Sequence, residues 1–239
     1  MTMGDRRDIT INGSGSTAGG TFRKVVIRGE GSVTSDMDCQ SFIIRGQGTA
    51  RGDVAAEEIR TAGHLIIHGR VKANTFSCYG NSDIHQEADI KDLIVRGGTD
   101  VGGDLKVEDA NIKGRMTVRG SCEAETFLVK GGFDVKGLLN AGTVHVTLKS
   151  YVGPSQAKEI GGEKIIVKEK NGLLENFLKP NLLTADLIEG DDIYLECTNA
   201  KIVRGKNVRI GPACEIELVE YERDFQQDKN SKVKENRKI

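Results

Sequence analysis

The residues able to do chemistry in this chain are few and poorly assembled. Four histidines stand at His64, His68, His85 and His145, and five cysteines at Cys39, Cys78, Cys122, Cys197 and Cys214. No two cysteines form a CxxC pair, so neither a zinc knuckle nor a disulfide framework is expected. Gly13-Ser-Gly-Ser-Thr-Ala-Gly19 and Gly46-Gln-Gly-Thr-Ala-Arg-Gly52 resemble the dinucleotide fingerprint but carry one residue too many. Neither stands between a strand and a helix, where that loop could offer a pyrophosphate its backbone N–H groups. There is no GxxxxGK[ST] loop, and no carboxylate recurs beside an inward polar group that would shift its pKa. The sequence therefore predicts a protein that is not an enzyme, with no cofactor, no metal and no catalytic residue.

Composition narrows the class further. Hydrophobic residues make up 37% of the 239, aromatic residues 5% with no Trp, and charged residues 29%. The formal net charge is −1, so no bulk attraction to nucleic acid is expected. No apolar run is long enough to span a bilayer, and no charged-then-apolar leader opens the chain. A cytoplasmic protein with a thin core is the expectation.

What positions these residues is a repeat. Glycine falls at 29, 46, 63, 80, 97, 114 and 131, always 17 apart. Number each unit from 1 at Val25, and apolar pairs recur at positions 1 and 3, 7 and 9, and 13 and 15. Position 1 reads Val25, Phe42, Ile59, Phe76, Leu93, Ala110, Phe127 and Val144; position 3 reads Ile27, Ile44, Thr61, Cys78, Val95, Ile112, Val129 and Val146. Position 7 is the weakest, with Gly31, Gly48, Leu65, Ser82, Thr99, Met116 and Phe133. A spacing of two inside each pair is the strand period. Three short strands joined by three corners make one turn, with the recurrent Gly in a corner that needs positive φ. The fold class expected is all-β: a right-handed parallel β-helix (β-solenoid) of triangular cross-section, 17 residues per turn. The right hand follows from the preference of parallel crossovers.

The organisation reads in five parts. Residues 1–8 are expected to be disordered, and 9–152 form the main β-helix. Ile9, Ile11 and Gly13 lie 16 before Val25, Ile27 and Gly29, which makes 9–20 a loosened first rung. Residues 153–184 interrupt the register. They hold a β-like Lys164–Lys168, then Leu173, Leu174, Phe177 and Leu178 at helical spacing. Rungs resume over 185–221, with Ala185 and Ile202, Ile193 and Ile210, and Cys197 and Cys214 each 17 apart. The charged tail 222–239 is nearly free of apolar residues and is expected to be disordered.

On this frame the reactive side chains acquire places. His68 and His85 share position 10 on adjacent rungs and read as solvated corner residues. Cys39, Cys78 and Cys122 fall at inward positions and read as small buried hydrophobes; Cys197 and Cys214 read as reduced thiols. The outer surface is patterned. Arg28, Arg45, Arg96, Lys113 and Lys130 form a basic corner, while Glu57, Glu58, Asp92, Glu108, Asp109 and Glu125 form an acidic one, and opposite corners could bundle neighbouring rods. Outward position 2 is partly apolar, with Val26, Ile43, Ile94 and Leu128. The segment Leu173, Leu174, Phe177 and Leu178 is the expected cover, or else the contact for a membrane or partner.

The stacked, Gly-cornered repeats of Val25–Val152 resemble the bactofilins, polymer-forming bacterial cytoskeletal proteins. Ile188-Glu-Gly-Asp-Asp-Ile-Tyr-Leu195 and Val203-Arg-Gly-Lys-Asn-Val-Arg-Ile-Gly211 are similar to segments of the longer bactofilin-like proteins of Gram-positive bacteria. The resemblance implies a β-helix that polymerises without nucleotide into non-polar filaments and scaffolds shape, envelope or motility proteins. The implied partners are further copies, joined head-to-head and tail-to-tail, a paralogous bactofilin, and peripheral membrane or envelope proteins. Open strand edges at the ends of such a rod are templates for a second copy. Ile9, Ile11 and Phe22 are expected at one polymer interface, and Ile216, Leu218 and Tyr221 at the other. Two rivals stand beside this: a non-polymeric β-helical interaction module like that of the Min-system division inhibitor, and a β-helical acyltransferase.

Overall fold

The computed structural model describes residues 6–149, 153–169 and 181–239. Among them there is no helix, and the chain coils into a parallel β-solenoid of about 13 turns with about 17 residues per turn. All eighteen strands belong to one sheet, and every pairing between them is parallel.

The first rungs are long strands that run through their corners: β1 (Arg7–Thr17), β2 (Gly20–Val33) and β3 (Met37–Ala50). Then each turn divides into a bent eight-residue strand and a short four-residue one. The long ones are β4 (Val54–Thr61), β6 (Val71–Cys78), β8 (Ala88–Val95), β10 (Leu105–Ile112) and β12 (Cys122–Val129). The short ones are β5 (His64–Ile67), β7 (Asn81–Ile84), β9 (Gly98–Val101) and β11 (Arg115–Val118). The last rungs are β13 (Gly132–Leu148), β14 (Ser155–Glu169), β15 (Leu183–Leu195), β16 (Thr198–Ile210), β17 (Glu215–Gln227) and β18 (Lys232–Lys238).

The inward stacks are those the spacing predicts. From Val25 to Val144 every position-1 side chain is at most 1% exposed, and position 3 is equally closed from Ile27 to Val146. The 16-residue first rung is also present, since Ile9 pairs with Val25 and Ile11 with Ile27.

Glycine keeps the corners for a reason that differs along the rod. At Gly13, Gly29 and Gly46, φ is 78°, 114° and 145°, the region that disfavours side chains. From Gly63 to Gly131 no such φ occurs, and close approach alone excludes a side chain: a Cβ would stand 1.9 to 2.0 Å from the carbonyl oxygen of the glycine one rung before, against 2.4 and 2.2 Å at Gly29 and Gly46. Backbones pass so close there that any side chain would push two rungs apart. The third corner is tied differently, by position-12 side chains. Asp36 accepts the N–H of Asp53, Asp53 that of Arg70, and Asp104 that of Ser121.

Four expectations need correction. Residues 153–184 do not stand outside the coil: β14 lies between β13 and β15 in register, Val144 pairing with Ile165 and Ile165 with Ile193. The extra residues go into its connections, and Leu173, Leu174, Phe177 and Leu178 lie outside the described residues. Secondly, the rungs after 185 are 15 residues long at first: Ala185 pairs with Ala200 and Ile193 with Val208. Thirdly, the tail 222–239 is ordered strand, β17 to Gln227 and then β18. Its charges fooled the compositional reading because they are paired across rungs, Lys232 with Glu215 at 3.2 Å and Lys234 with Glu217 at 3.1 Å. Lastly, of residues 1–8, expected to be disordered, Arg7 and Asp8 already belong to β1, with Asp8 accepting from Nε and Nη2 of Arg23, and residues 1–5 lie outside the described residues.

Candidate functional site

Three surfaces could carry function: the two ends of the solenoid and its charged long faces. At the N-terminal end, among the described residues, β1 pairs with β2 alone, so no described strand meets its other edge along its 11 residues. Ile9 is half-buried and Ile11 is 9% exposed, both resting on the core. Phe22 belongs to the second rung and is 1% exposed under the Arg7 guanidinium, which sits 5.7 Å from its ring centre. Of the three side chains expected at this end, two lie on the bare rung and the third is covered.

At the C-terminal end the expected trio is one rung too early. Ile216 pairs with Val233, Leu218 with Glu235 and Tyr221 with Lys238, so β18 covers them. Among the described residues it is β18 itself whose outer edge has no partner strand. A buried acid fastens it. Glu220 is 4% exposed and takes hydrogen bonds from Arg204 Nε at 2.6 Å and Arg237 Nε at 2.9 Å, one cation from the rung before and one from the rung after. The Arg237 and Arg204 guanidinium groups hold its carboxyl below the usual range. The tail reading missed this triad; Phe225, 17 after Val208, and Val233, 17 after Ile216, were the signal.

The reactive side chains are dispersed. His68 and His85 meet edge to face with ring centres 4.6 Å apart, both exposed. Among the described residues no three His, Cys, Asp or Glu side chains gather as a metal site. All five cysteines are buried and unpaired. Loss of hydration pushes the thiols of Cys39, Cys122 and Cys197 up to about 12 and that of Cys214 to about 11, so they are poor nucleophiles. In the core the hydroxyls of Ser82 and Thr99, at position 7 of successive rungs, share a hydrogen bond of 3.0 Å.

A groove runs along the bend between positions 14 and 16. Its floor is apolar, with Ala56, Ala73, Ile90, Val107 and Ala124, and its walls are charged, with Lys72, Asp89, Lys106 and Glu123 on one side and Lys91 and Glu108 on the other.

Over 233 residues the chain is 58% identical to the uncharacterized protein YhbE of Bacillus subtilis (strain 168), covering 97% of this chain and 98% of that one. This chain belongs to the YhbE family. A second Bacillus subtilis protein, the uncharacterized YhbF, is 43% identical over 101 residues; the alignment spans 42% of this chain and 41% of YhbF's length. No family model matches, and no solved structure matches at a significant level. Among the described residues of this YhbE-family member no helix is long and apolar enough to cross a membrane.

Proposed function

We propose that this YhbE-family protein is a structural protein that assembles end to end, without nucleotide, into filaments that scaffold other proteins of the cell envelope, shape or motility machinery. One observation carries the reading. A parallel solenoid whose first and last strands each have a single neighbour leaves a row of N–H and C=O groups bare at both ends. Repeat proteins that stay monomeric cover such ends with a polar cap, and among the described residues none lies over β1 or β18. Contacts between like ends, head-to-head and tail-to-tail, build such a fibre from isologous interfaces. The resemblance to bactofilins supports the same reading, and a paralogue of the same coil could enter the same fibre.

The experiment is sedimentation and negative-stain microscopy of the purified chain at micromolar concentration with no nucleotide. Filaments of megadalton mass are expected. A stable dimer at all concentrations would replace this reading with that of a non-polymeric interaction module.

A further inference from the structure

The groove along the bend carries a charge pattern that fits its own reverse. On adjacent rungs its first wall presents Lys72, Asp89, Lys106 and Glu123, each directly over the last. Elsewhere the fold neutralises such neighbours across rungs, as in Lys201–Asp186 at 2.7 Å and Lys206–Asp191 at 2.8 Å. Here none of the four makes an ion pair with a described residue, and all four are exposed.

We infer that this groove is a lateral contact between two copies of the chain lying antiparallel, with the two-fold axis between the rungs of Asp89 and Lys106. In that arrangement Asp89 meets the second copy's Lys106 and Lys72 meets its Glu123. Each of these two pairs occurs twice. On the other wall Lys91 stands opposite the second copy's Glu108, and the two are already paired within each chain at 3.3 Å. The flanking mates, Ala55 on Asn140, Asn74 on Glu125 and Glu57 on Gly142, set no like charges together. Asp38, beyond them, is already held by Arg6 at 3.1 Å.

The register is unique. Sliding one copy by a rung sets Asp89 on Asp89, or Lys106 on Lys106. Sliding it by two sets Glu57 on Glu108, or Glu108 on Glu125. Two-fold-related copies running in the same direction bring Glu123 onto Glu125. Ala73 and Ala124 leave room for the Lys72 and Glu123 pairs, while Ile90 and Val107 form the floor beside the two-fold axis. Single exposed pairs are weak, so the contact is sensitive to salt and gains strength where copies are already strung together. It shares with the proposed function a second copy as partner but needs no end-to-end contact.

The test is a cross-link. Ala55 and Asn140 are five rungs apart within a chain, about 24 Å, and all native cysteines are buried. The variant carrying both A55C and N140C, treated with a mild oxidant at low salt, is expected to form a disulfide dimer, while each single variant stays monomeric on a denaturing gel. Raising salt to about 0.5 M should cut the yield about tenfold. Adding K72E should lower the yield several-fold, and adding E123K as well should restore it, with circular dichroism showing each variant folded. A double-cysteine yield no greater than that of the singles, or one indifferent to K72E, overturns the inference. Because the dimer is read on the gel, it stands or falls whether or not filaments pellet.

Discussion

A Cβ placed on Gly80 would stand 2.0 Å from the carbonyl oxygen of Gly63. The corner glycine is therefore a spacing device: it lets two rungs approach to hydrogen-bonding distance, with Asn81 N–H donating to Gly63 at 2.8 Å. Gly80→Ala is expected to destabilise the fold by roughly 2–4 kcal/mol, since backbone on both sides must shift. Gly13→Ala meets nothing within 4 Å and strains only a φ of 78°, so it should cost about 1 kcal/mol. Denaturant midpoints of the two variants check this; equal midpoints would mean the close approach does not set the cost.

Much of the coil was legible because its repeat is enforced by two independent constraints, inward apolar pairs and the glycine ladder. Val25 to Val146 reads correctly for that reason. Legibility fails where one constraint lapses. Beyond 185 the glycines at 190 and 205 are 15 apart, matching Gly190 paired with Gly205, but a 17-residue template overrides that spacing. In the tail, charge density argues for disorder and outweighs two apolar residues in register, Phe225 after Val208 and Val233 after Ile216, while the cross-rung ion pairs of Lys232 and Lys234 show how the charges are accommodated in strand. The groove's charge pattern was visible as letters, Lys72 to Glu123, yet its meaning needs the rung register that stacks them.

The hydroxyls of Ser82 and Thr99 are buried together at 1% and 2% exposure. Ser82→Ala strips Thr99 of its partner in a dry core and should cost about 1–3 kcal/mol. Thr99→Val added to it removes the orphaned group and should recover most of the loss. Thermal melts of the two single variants and the double form a cycle; additive losses would show that the bond is not what holds these side chains.

Glu220 makes the last rung acid-labile. Hydrogen bonds from Arg237 and then Arg204 lower its folded pKa, so the unfolded chain binds the proton more readily. The stability it contributes is fully present above the unfolded carboxyl value of about 4.3 and is lost as pH falls through the lowered folded value. Hydrogen exchange over 232–238 should accelerate in that acid window before exchange in the Val25–Val146 rungs changes. Glu220→Gln should bring the same acceleration, about tenfold, at neutral pH. Equal protection in both proteins at neutral pH would show that β18 is held by its backbone ladder alone.

Ile9 is placed to test the ends. It lies on the bare first rung and is only half-buried, so a lysine there can rest its methylenes on the core and lift its ammonium to water. The rung survives, but its free edge now carries a charge that a second copy must bury. Ile9→Lys is expected to shorten filaments several-fold in micrographs while leaving the circular dichroism spectrum unchanged. Lys113→Glu, on an exposed corner midway along the rod, should leave length unchanged. Because like ends meet in the proposed fibre, Ile9→Lys should weaken the N-terminal junctions alone and enrich C-terminally joined dimers among the shortened filaments. Filaments of normal length from a folded Ile9→Lys protein would remove the N-terminal edge from the assembly.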